Sequence, residues 1–69
     1  MKLAPLRLKR APTALEKDML EGETPSGHKT LFVEQDAEGW LLRMPRYSSQ
    51  EAVQDMIVAT LYAEKVGLA

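Results

Sequence analysis

The chain has 69 residues, no cysteine, one histidine and a formal net charge of -1, from 9 Lys plus Arg against 10 Asp plus Glu. Disulfides and thiolate-rich zinc sites are thereby excluded, and a single imidazole does not build an ordinary zinc centre. A chain this short buries only roughly 60% of the surface its unfolded form exposes, so one domain, residues 1–69, is expected, with self-association as its remaining route to stability.

The 45% hydrophobic content argues for a folded protein rather than a disordered one. No apolar run approaches the roughly 20 residues of a membrane span, and MKLAPLRLKRAP carries no apolar core of signal-peptide length. A cytoplasmic protein without membrane contact, metal or cofactor is expected.

Residues 1–12 concentrate positive charge. Lys2, Arg7, Lys9 and Arg10 all precede the first acid, Glu16. Leu6-Arg7-Leu8-Lys9 alternates as a half-buried strand does. Pro5 has no N–H to donate, so such a strand would lie at an edge or begin there. The competing reading is a basic arm without regular structure. Arg7, Lys9 and Arg10 are candidates for contact with phosphate or an acidic partner; the plainer reading is a solvated terminus.

Residues 13–21 read as a short helix. Thr13 and Glu16 have the spacing of a capping box, in which two side chains satisfy two orphan backbone donors. Leu15 and Met19 lie one turn apart. Two turns of helix do not stand alone in water, so Leu15, Met19 and Leu20 are expected to pack. Gly22 suits the stop.

ETPSG, 23–27, is a loop by composition. His28 has no acid or nucleophile at a catalytic spacing and reads as a surface residue. Residues 28–46 read as a two-stranded antiparallel hairpin, with strands at 29–35 and 40–44. The intervening Asp36-Ala37-Glu38-Gly39 suits a turn with a glycine bulge. That turn sets Phe32 opposite Met44, Glu34 opposite Leu42 and Asp36 opposite Trp40. One face would carry Phe32, Trp40, Leu42 and Met44; the other would carry Leu31, Val33 and Leu41 beside Arg43 and Gln35. Glu34, Asp36 and Glu38 read as a solvated acidic tip, lacking the convergent ligands a divalent ion needs. Trp40 is expected in the core. Arg43, Arg46 and Tyr47 are anchor candidates for a partner or phosphate; Tyr47 packing against the helix entry is the alternative.

Residues 48–66 read as a long helix, opened by Ser48 with Glu51 three residues on and closed by Gly67. Ala52, Val53, Met56, Ile57, Thr60 and Ala63 share a broad face assigned to the hairpin. Val58, Ala59, Tyr62 and Val66 form a second stripe, interrupted by Glu51 and Asp55. A helix apolar on more than one face is buried on more than one face. Val58, Leu61, Tyr62 and Val66 are therefore the expected dimer or partner interface.

The expected fold is α+β: a short N-terminal helix, a two-stranded hairpin and a long C-terminal helix, in a homodimer. The expected function is a non-enzymatic protein–protein interaction module. Short reading frames of this length include phage and mobile-element accessory factors that bind and inhibit or regulate a host enzyme or transcription factor. The second reading is a small dimeric nucleic-acid-binding regulator using the basic N-terminal segment, against which a pI near 5.7 counts. An enzyme is the third and least supported, with no constellation to carry it.

Overall fold

The computed structural model describes residues 4–22, 31–44 and 49–69. Along the chain run β1 (Leu6–Leu8), α1 (Ala14–Glu21), β2 (Phe32–Asp36), β3 (Gly39–Arg43) and α2 (Gln50–Lys65). The class is α+β, with two helices and a three-stranded antiparallel sheet of order β1-β3-β2. The expected two-stranded hairpin is thus incomplete. The Leu6–Leu8 segment is the third strand, laid along β3 with Leu6 opposite Leu42 and Leu8 opposite Trp40. Pro5 stands just before it, at the sheet edge where a missing N–H is tolerated.

The hairpin register differs by one residue from the expected pairing. Phe32 faces Arg43, Val33 faces Leu42, Glu34 faces Leu41 and Asp36 faces Gly39. The loop is the two residues Ala37 and Glu38, with no bulge residue added. Asp36 Oδ1 accepts from the Glu38 N–H at 2.9 Å, and Gly39 takes a φ of 126°, where a side chain would be strained. A shift of one exchanges which residues share a face across the pair. Leu8, Leu31, Leu42 and Met44 are buried together, with Leu6, Val33 and Trp40 packed against them. Phe32 is on the opposite face, 47% exposed.

Both helices cover the same side of the sheet, since Leu20 of α1 and Ala52, Met56, Ala59 and Ala63 of α2 belong to one core with Leu42. The capping box of α1 forms as expected: Thr13 Oγ1 accepts from the Glu16 N–H, and Glu16 Oε2 accepts from the Thr13 N–H. Only Leu20 of this helix is fully buried; Leu15 is 71% exposed and Met19 is also at the surface. At the far end, Glu21 Oε1 accepts from the Val33 N–H at 3.2 Å, a side chain occupying the outer edge of β2.

The N-cap of α2 is Ser49, whose hydroxyl accepts from the Ala52 N–H; Ser48 lies outside the described residues. The helix closes in a Schellman arrangement. Gly67 takes a φ of 82°, its N–H reaches the Glu64 carbonyl, and the Leu68 N–H reaches the Ala63 carbonyl at 2.8 Å. Leu68 is thereby folded into the core.

The buried face of α2 is rotated from the expected one. Ala52, Asp55, Met56, Ala59 and Ala63 point inward, and Ile57 points out. Alanines at 52, 59 and 63 sit in the core with Met56, and dense packing favours that fit over the most hydrophobic stripe. Asp55, expected on the far side, is fully buried and is held by an interaction within the fold.

Candidate functional site

The structure divides the expected interface set. Tyr62 and Val66 are half-buried against the core, which removes them from any free stripe. Val58 and Leu61 are exposed, Leu61 at 61%. Ile57 joins them, also exposed. At roughly 100° per residue these three span about 100° of the helix surface, opposite the buried alanines. Between them and the chain start lies a groove of about 420 Å³, walled by Ala4, Pro5 and Leu6 on one side and by Ile57, Thr60 and Leu61 on the other. Its floor includes Met56 and its end Glu64. The apolar surface of α2 therefore continues onto the edge of the sheet.

Ile57 and the Ala4–Leu6 wall were missed by sequence reasoning. The signal for Ile57 was present: with Leu61 it forms an i,i+4 pair on one face. Nothing in the sequence placed the N-terminal segment beside that pair.

Among the described residues, each arginine candidate faces a carboxylate. Arg7 Nη1 lies 2.7 Å from Asp36 and its Nη2 3.2 Å from Glu38. Arg43 Nε lies 2.7 Å from Glu34. Arg10 lies 2.7 Å from Glu16 and also donates to the Val66 carbonyl at 3.1 Å. Lys9 has an exposed side chain, while its backbone N–H donates to the Leu68 carbonyl. Arg46, Tyr47 and His28 lie outside the described residues.

The ion pairs shift titration in the expected directions. The Arg10 guanidinium, hydrogen-bonded to Glu16, lowers that carboxyl to about 2, with help from the Thr13 N–H. The hydrogen bond from Arg7 lowers Asp36. The guanidinium pKa values of Arg7 and Arg10 rise through the same bonds. The acidic tip is therefore matched by Arg7 and Arg43 rather than solvated alone. The outer sheet face is an apolar pair, Phe32 and Leu41, framed by these ion pairs.

Trp40 is partly buried, with Lys17 Nζ 4.9 Å from its ring centroid. Such a contact stabilises by about 0.5–1 kcal/mol at an exposed site and covers the ring from solvent. Among the described residues, no group of three His, Asp or Glu side chains is arranged to hold a metal ion, and no helix is long and apolar enough to cross a membrane.

Comparison with known protein families, with curated proteins and with solved structures finds no match to this chain.

Proposed function

We propose that the protein is a non-enzymatic interaction module that docks another polypeptide on the outer face of α2 and acts by occupying that partner's surface. One observation carries this reading. Ile57, Val58 and Leu61 are exposed on a helix whose other face already fills the core, and they continue into the groove beside Ala4–Leu6. Fully burying an aliphatic side chain is worth about 1.5–3 kcal/mol. A partner that covered all three would recover about a third of that at Ile57 and Val58, which are 38% and 36% exposed, and more than half at Leu61, which is 61% exposed. Contiguous apolar surface of this kind marks a contact site or an aggregation liability.

The nucleic-acid reading has less support. Among the described residues, Arg7, Arg10 and Arg43 each face an acidic side chain at 2.7 Å, which weakens the positive potential these three offer to phosphate.

A photoreactive amino acid placed at Leu61, with Glu38 as the control position, tests the docking reading in cells. Irradiation should give protein adducts at position 61 and none at position 38. No adduct at 61 would overturn it.

A further inference from the structure

The docking face of α2 has a sequence pattern that selects its occupant. Glu51, Gln54, Val58, Leu61 and Lys65 are all exposed. Their spacing is three, four, three and four, which aligns them along one line of the helix, with Val58 and Leu61 as its apolar centre and polar residues at both ends. The ends of the seam carry opposite charge, with Glu51 in the first turn of α2 and Lys65 in the last. We infer that the partner on this face is a second copy of this chain, with the two α2 helices antiparallel across a two-fold axis. The inference rests on the docking reading above and names its partner.

Register follows from the charges. With the axis between the two apolar layers, each Val58 meets the partner's Leu61 and each Gln54 is level with the partner's Lys65. Glu51 then sits three residues further along, about 4.5 Å at 1.5 Å per residue, within reach of the same ammonium. A parallel pair would instead set Glu51 on the partner's Glu51 and Lys65 on the partner's Lys65. Antiparallel alignment also opposes the two helix dipoles favourably.

The competing self-contact, strand against strand through β1, is weaker on this chain. That strand has three residues, with Pro5 just before it, Arg7 at its centre and Lys9 just after it. Short length, proline and charge all disfavour pairing at an edge. The helix seam has no proline, and its charges are of opposite sign at its two ends.

Sedimentation equilibrium over a wide concentration range is the test. Wild type should be a concentration-dependent dimer. Leu61→Glu should be monomeric with unchanged far-ultraviolet circular dichroism, because residue 61 is already largely exposed in the folded monomer. Glu51→Lys and Lys65→Glu should each weaken the homodimer several-fold. An equimolar mixture of those two variants should regain dimerisation, since each chain then presents the charge the other lacks. A dimer unaffected by Leu61→Glu would overturn the inference, and so would single charge reversals without effect. A strict wild-type monomer would overturn it too. If that monomer still formed adducts from position 61 with a different protein, the docking reading would survive while the self-pairing failed.

Discussion

Arg7 reaches across the central strand to Asp36. Its guanidinium donates to that carboxylate at 2.7 Å, although β1 and β2 are separated by β3. Two strand spacings are roughly 9.6 Å. The other guanidinium nitrogen lies 3.2 Å from Glu38 in the turn, so one side chain of β1 ties the far edge strand and the hairpin loop together.

This link should be measurable as a coupling. Arg7→Ala and Asp36→Ala should each lower the thermal midpoint slightly, and the double variant should lower it by less than the sum. Added salt should shrink the coupling, because both groups are partly solvated. Additive effects at low salt would mean that the pair does not form in solution.

Glu16 gives a pH signature. Its carboxyl is held at about 2 in the fold, against 4.5 as an unperturbed group. A depressed folded pKa contributes stability that is fully present above the unfolded value. That contribution is lost as pH falls from about 4.5 towards 2. Wild type should therefore exceed Glu16→Gln in thermal midpoint at neutral pH, and the gap should close across that window. A constant gap down to pH 2 would contradict the Arg10 and Thr13 bonds.

The hairpin register makes opposite demands on neighbouring positions. Leu42, fully buried on the central strand, should lose about 2–5 kcal/mol on substitution by alanine. Total stability at this size is about 3–10 kcal/mol, so Leu42→Ala should lose a large fraction of it. Phe32→Ala, on the outer face, should remain folded. Urea denaturation of the two variants distinguishes this register from one shifted by a residue, which would put Phe32 beside Leu42 in the core.

The small residues on α2 are a further test. Ala63 is fully buried, and Ala63→Leu should destabilise by about 1–3 kcal/mol through overpacking. Chemical denaturation would show it. A neutral or stabilising effect would mean that Ala63 is not tightly enclosed.

Much of the local structure was legible in the sequence. Thr13 and Glu16 announced the start of α1, Pro5 limited its neighbours to an edge strand, and the turn residues located the hairpin. What the sequence did not supply were the relations between elements. The pairing of β1 with β3 joins residues far apart along the chain, where no periodic pattern marks the partner. Register depended on whether Gly39 formed a bulge or paired directly with Asp36, and the same four residues permit both. The orientation of α2 was misread because aspartate ordinarily marks an exposed position and isoleucine a buried one, whereas here Asp55 is buried and Ile57 is exposed. The core encloses Ala59 and Ala63, which leaves Ile57 beside Leu61 on the outside.

The joined ends of the chain bear on how it opens. Arg10 bonds the Val66 carbonyl across 56 residues of sequence, and the neighbouring Lys9 N–H bonds the Leu68 carbonyl. Contacts of such separation close a large loop and carry a high entropic cost before they form. The edge strand that they secure should therefore dock late and detach early. In hydrogen exchange, the amides of Leu6–Leu8 should lose protection before those of α2, and loosening the glycine-dependent turn at Gly67 should release them sooner still.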